Sequence, residues 1–176
     1  GEIVETATTN EQGQIIFENL PFGGYIIRET VAPDGYLLNT RTYEVWLGQV
    51  ADEREQIIEL DVTDYQGSAY LFKTDENNNA LAGVQFALYK DGMLYRDNLF
   101  SGEDGYLYLD NLAPGKYTLK ESVALPGYEL SNTSFEFEVA DEALDAPKMI
   151  NLGTLINQSL PKKVLPSTGI YTRELI

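Results

Sequence analysis

"YTLKESVALPGY", residues 117–128, decides the fold and poses the chemical question. Side chains of a β-strand alternate between its two faces, so Tyr117, Leu119 and Glu121 share a side. Two of the three belong in a core, and a carboxylate follows them inward. The arrangement occurs twice: "YIIRETVAPDGY" at 25–36 sets Glu29 in line with Tyr25 and Ile27.

The recurrence extends outward on both sides. At a constant offset of 92, Gly13 falls on Gly105, Asn19-Leu20 on Asn111-Leu112, Gly23 on Gly115, and Gly35-Tyr36 on Gly127-Tyr128. Two copies of one domain follow from this period. "QIIFENLPFGGYIIRET" and "YLYLDNLAPGKYTLKES" each predict two strands joined by an Asn-Leu-x-x-Gly turn, and "TYEVWL" and "SFEFEV" alternate apolar with polar as half-buried strands do. "DENNN" at 75–79 predicts a hairpin turn, since its oxygens lack the spacing of a calcium loop, and "DEALDAP" at 141–147 predicts one helical turn. The class is all-β, two tandem small sandwiches. The predicted organisation is a first domain at 1–66, a complete second domain at 67–160, and a tail at 161–176. Gly1 already lies level with Met93, so the first domain lacks a counterpart of "GSAYLFKTDENNNALAGVQFALYKDG"; its opening strands are expected from upstream residues or another chain.

Composition narrows the chemistry. With 28 Asp and Glu against 12 Lys and Arg, the net charge is -16, which argues against nucleic acid or an anionic membrane as a partner. The chain has no Cys and no His, which removes thiol nucleophiles, histidine bases and the usual zinc ligand sets; neither metal nor cofactor is expected. Most of the 12 Tyr recur at positions expected to face a core, which assigns them to packing.

Two further polar residues are steered inward. In "SAYLFK", Lys73 shares a face with Ala69 and Leu71; in "GTLINQ", Asn157 shares a face with Leu155. Burial disfavours charge, lowering the pKa of Lys and raising that of Glu. A neutral amine is a nucleophile, a carboxamide an electrophile, and a protonated Glu a proton shuttle. An amide between Lys73 and Asn157 would expel ammonia and leave no buried charge. The plainer alternative has Lys73 reaching back to water, Glu121 facing an Arg, and Asn157 forming a turn. Recurrence of the Glu in both copies weighs against it.

Together "GSAYLFKTD", "LAGVQFALYKDG", "GYLYLDNLAPGKYTLKESVALPGYEL" and "TLINQ" resemble the CnaB-type (collagen-adhesin B-type, prealbumin-like) domains of Gram-positive surface proteins and pilins. The resemblance implies a spontaneous isopeptide bond with Lys73 as amine, Asn157 as acceptor and Glu121 as proton shuttle. In the first copy it implies Glu29 and Asp64 as the equivalents, with Asp64 one residue out of register. No Lys occurs in residues 1–72, so the amine for that site must come from elsewhere.

"LPSTG" at 165–169 (Leu165, Pro166, Ser167, Thr168, Gly169) resembles the sortase recognition pentapeptide. That likeness implies cleavage after Thr168 and attachment through it to peptidoglycan or a neighbouring pilin subunit, at the cell wall or extracellular surface of a Gram-positive bacterium. The "IYTRELI" that follows is neither an apolar span nor a basic stop. The expected function is a structural surface or pilus subunit rather than an enzyme. Two alternatives come from other classes: an adhesin module for a host matrix protein or glycan, and a hydrolase using Glu121, which would need a second carboxylate in an open cleft.

Overall fold

The computed structural model describes residues 1–48 and 56–161. The second repeat is a two-layer β-sandwich. One layer orders β11 (Ile150–Asn157), β4 (Gly67–Asp75) and β7 (Tyr106–Leu112); the other orders β6 (Met93–Phe100), β5 (Gln85–Lys90), β8 (Gly115–Val123) and β9 (Ser134–Val139). The first and last strands of the repeat, β4 and β11, lie side by side and parallel. Between the layers pack Leu71, Val84, Phe86, Leu88, Leu107, Leu109, Leu119 and Leu155, with Tyr117 at one end. Each such side chain, withdrawn from water, stabilises the fold by about 1.5–3 kcal/mol before entropy is subtracted.

Turn chemistry accounts for the connections. Asp91 and Gly92 both take positive φ, 50° and 82°, as the two-residue β5–β6 hairpin requires. At "DENNN" the Asp75 carboxylate accepts the backbone N–H of Asn77 and Asn79 and the Asn79 side-chain amide, each at 2.8 Å, closing the turn. The Asn-Leu-x-x-Gly segment carries β7 in one layer across to β8 in the other. Asn19 and Asn111 take φ of 56° and 54°, and the Tyr25 and Tyr117 hydroxyls donate to the carbonyls of Pro21 and Ala113, four residues earlier, at 2.6 and 2.7 Å. Local geometry is therefore the same in both repeats.

Long-range pairing is not. In the first repeat β1 (Gly23–Arg28) pairs antiparallel with β3 (Thr42–Leu47), the counterparts of β8 and β9. The expected strands at "QIIF" (14–17) and "LDVTDYQ" (60–66) do not form: these segments make no ladder, save a single bridge between Leu37 and Tyr65. In the second repeat the corresponding segments, β7 and β11, both bond to β4, whereas in the first Ile15, Ile16, Ile57 and Ile58 are exposed.

The repeats meet through a ladder that the sequence did not announce. "DEALDAP" forms no helical turn; Glu142–Ala143 (β10) instead pairs parallel with Leu38–Asn39 (β2) of the first repeat. The Leu38 and Thr40 N–H groups donate to the carbonyls of Asp141 and Ala143 at 2.9 and 3.1 Å, and Arg41 pairs with Asp145. Leu37, only 2% exposed, enters the hydrophobic core of the second repeat.

The tyrosines also depart from expectation. Tyr117 is core, whereas Tyr70, Tyr106 and Tyr108 stack with Phe72 on the outer face of the β11-β4-β7 layer, with ring centroids 4.7 to 6.4 Å apart. Tyr108 is half exposed.

Candidate functional site

Lys73 projects from the seventh position of β4, inward like Ala69 and Leu71, and its side chain is wholly buried. Its Nζ donates to two backbone carbonyls, Thr74 at 3.0 Å and Leu155 of the adjacent β11 at 3.1 Å. The strand is pinned here: Lys73 N–H donates to the Gly105 carbonyl at 2.8 Å, and a Cβ on Gly105 would lie 2.7 Å from the Lys73 carbonyl oxygen. Gly105 also takes φ of +80°, so the approach and the backbone both require glycine.

Asn157, 1% exposed, ends β11 two residues beyond the carbonyl that holds Lys73. Glu121 comes from β8 in the opposite layer and is also buried. The Asn157 amide donates from Nδ2 to Glu121 Oε1 at 2.6 Å, bridging the two sheets. The other oxygen of each group, Glu121 Oε2 and Asn157 Oδ1, is buried without a hydrogen-bond partner. A proton on Glu121 Oε2 would make that oxygen a donor.

The electrostatics agree with that protonation state. Burial pushes the Glu121 carboxyl above its ordinary 4.5, opposed by the Asn157 hydrogen bond, the Lys73 charge and a backbone N–H from Ser131. Burial lowers Lys73 from 10.5, opposed by the charges of Glu121 and Asp75. Ionised Lys and Glu here offset one another only in part; the neutral pair avoids desolvating two charges. Lys73, Asn157 and Glu121 thus bring an amine, an amide carbonyl and a carboxyl group together in the core, where burial favours the neutral form of both titratable groups.

In the first repeat Glu29 and Asp64 lie close enough that the Asp64 charge helps raise the Glu29 pKa, after the larger effect of burial and against a backbone N–H from Asn39. That N–H donates to Glu29 Oε2 at 2.7 Å, and Asn39 Nδ2 donates to the Thr63 carbonyl at 3.0 Å. Asp64 Oδ1 is buried without a partner. Asn39 and Ser131 occupy equivalent positions at the offset of 92; the backbone N–H of each opposes the rise in the pKa of the inward Glu, and that of Asn39 is hydrogen-bonded to it. Sequence reasoning missed this role, although a polar residue at that place in both copies was visible. It also missed the carbonyls of Thr74 and Leu155, which no side-chain pattern reports. The pentapeptide Leu165–Gly169 lies outside the described residues.

Two packed layers, with a last strand lying parallel beside the first, define a prealbumin-like β-sandwich. Residues 1–66 and 67–151 each match the SpaA family, a prealbumin-like fold domain, and the chain belongs to that family. A trypsin-resistant surface T6 protein of Streptococcus pyogenes serotype M6 is 29% identical over 104 residues, covering 58% of this chain and 18% of its own length. Among solved structures, the Bacillus anthracis TIE protein is similar over 86% of this chain and 28% of its own, with a TM-score of 0.54 and 24% identity. BcpA, the major pilin subunit of Bacillus cereus, is 28% identical, covering 52% of this chain and 28% of its own, with a TM-score of 0.46. The chain thus spans less than a third of each of these relatives.

Proposed function

We propose that this chain is part of a surface or pilus subunit of a Gram-positive bacterium whose second repeat crosslinks itself. The observation that carries the proposal is the burial together of Lys73, Glu121 and Asn157, with Asn157 held to Glu121 at 2.6 Å. The neutral Lys73 Nζ adds to Asn157 Cγ while Glu121 protonates the developing oxyanion. Glu121 then takes a proton from the former amine and delivers it to the departing nitrogen, and as the carbonyl re-forms the hydroxyl proton returns to Glu121. One C–N bond forms, one breaks, and ammonia leaves. Each molecule reacts once, so the chain is not a turnover enzyme.

The consequence is mechanical. A bond between β4 and β11 joins the first and last strands of the repeat, so tension entering at one end leaves at the other without loading the strands between. The T6 relative is named for its resistance to trypsin, which is in keeping with such a bond. In the first repeat Glu29 and Asp64 would serve the same reaction, with the amine supplied by a lysine outside residues 1–72. Attachment by sortase through Thr168, to peptidoglycan or a neighbouring subunit, belongs to the same reading.

Intact-mass measurement tests it. The wild-type chain is expected to lack the mass of one ammonia, the loss disappearing in Lys73→Ala and Asn157→Ala and falling in Glu121→Ala. An unaltered wild-type mass would reject the crosslink. The outer-face cluster of half-buried Tyr70, Phe72 and Tyr106 with exposed Tyr108 favours a second reading, an adhesin module for a host matrix protein or glycan. Binding to collagen, fibronectin or glycan arrays that Tyr108→Ala abolishes would support it.

A further inference from the structure

The C-terminal strand contradicts its own hydrophobic pattern. A regular strand over 150–157 would turn Ile150, Leu152, Thr154 and Ile156 to one face, three of them apolar, and would leave Asn157 in solvent. The structure differs: Ile150 and Leu152 are half-buried, Gly153 and Thr154 are both exposed, and Leu155 and Asn157 are buried while Ile156 is 46% exposed. The face switches between 152 and 155.

A bulge performs the switch. Asn151 pairs with Tyr70 and Thr154 with Phe72, so three steps along β11 match two along β4. Gly153 takes φ of +90°, a conformation that L residues adopt at a cost, and its N–H donates at 2.8 Å to the Asn151 side-chain Oδ1. A Cβ at Gly153 would meet no atom within 4 Å, so backbone conformation alone restricts the position.

We propose that the Asn151–Gly153 bulge is the positioning device that places Asn157, in place of Ile156, beside Lys73 and Glu121. This rests on the crosslink proposed above. Without the bulge, continuation of the Ile150–Ala69 register puts Ile156 opposite Asp75 and Asn157 outside. The bulge stores one residue, so its removal and its prevention have opposite consequences. Deleting Gly153 leaves the pairing on both sides intact and keeps Asn157 inward. Substituting it with a β-branched residue drives the strand toward the regular register and turns Asn157 outward.

The test is the rate and position of crosslinking after refolding, read by intact mass and by tandem mass spectrometry of the linked peptides. Gly153→Val should crosslink at least about tenfold more slowly than wild type. Deletion of Gly153 should retain a Lys73–Asn157 link at close to the wild-type rate. Gly153→Val combined with Ile156→Asn should recover crosslinking with the link at residue 156, a relocation that a merely structural role for Gly153 would not produce. Gly153→Val linking Asn157 at the wild-type rate would overturn the proposal, as would loss of the link on deletion or a link absent from residue 156 in the folded double variant. Should Gly153→Val fail to fold, the deletion decides alone. A wild-type chain with no mass loss would instead reject the crosslink itself, and the positioning role with it.

Discussion

Asn157 donates a 2.6 Å hydrogen bond to Glu121 across the interior of the sandwich, joining a strand of one layer to a strand of the other. Its donor is the nitrogen that the proposed reaction expels, and its acceptor is the group proposed to carry the protons. The hydrogen bond therefore aligns leaving group and acid before any covalent step.

Removing the amine should lower stability by the entropy of a large loop. Residues 73 to 157 would be closed by the link, and by analogy with disulfides such a loop contributes about 4 to 5 kcal/mol. Lys73→Met, which keeps an unbranched chain of similar length, should lower the guanidinium midpoint accordingly, and Asn157→Ala should behave alike. Equal midpoints for wild type and Lys73→Met would contradict the link.

Crosslinking during refolding should show a bell-shaped dependence on pH. The acid limb arises because Lys73 must lose its proton, at a pKa lowered from 10.5 by burial. The alkaline limb arises because Glu121 must keep its proton, at a pKa raised from 4.5 by burial. The acid limb thus lies below the ordinary lysine value and the alkaline limb above the ordinary glutamate value, and both belong to the coupled pair. Timed mass spectra of Glu121→Gln should show a slower reaction with no alkaline limb.

Leu37→Ala should destabilise the second repeat, although Leu37 belongs to the first. A buried leucine truncated to alanine costs about 2–5 kcal/mol. The variant is best made in a Lys73→Met background, where no covalent link masks the loss. An unchanged denaturation midpoint there would mean that the junction does not support the core.

Glu29 should make the first repeat more stable in acid. Its folded pKa is raised, mainly by burial, above the ordinary 4.5, so folding takes up a proton. The associated stability is fully present below about 4.5 and is lost as pH rises through the folded value. Glu29→Gln, which cannot ionise, should flatten this dependence in thermal unfolding between acidic and neutral pH. Parallel curves for the two proteins would refute the assignment.

The inward faces of Lys73 and Glu121 were legible because each sits within a long, regular alternation, where parity needs no knowledge of partners. Asn157 was legible only from its neighbour Leu155; extending the pattern back through Leu152 would have put it outside. Leu37 and the β2–β10 ladder gave no signal, since two-residue pairings carry no period. The outward tyrosines of β4 and β7 were hidden for another reason: both faces of those strands are rich in large side chains.

What the sequence determined by itself is local. The Asn-Leu-x-x-Gly turn, the tyrosine bonded to the carbonyl four residues back and the inward glutamate form in both repeats, because each depends on backbone preferences within a few residues. What tertiary structure decided is which segments became strands and which face β11 presents at its end. A ladder needs a partner to accept its hydrogen bonds: residues 106–112 form β7 against β4, and pairing with β4 sets the register that carries Asn157 into the core.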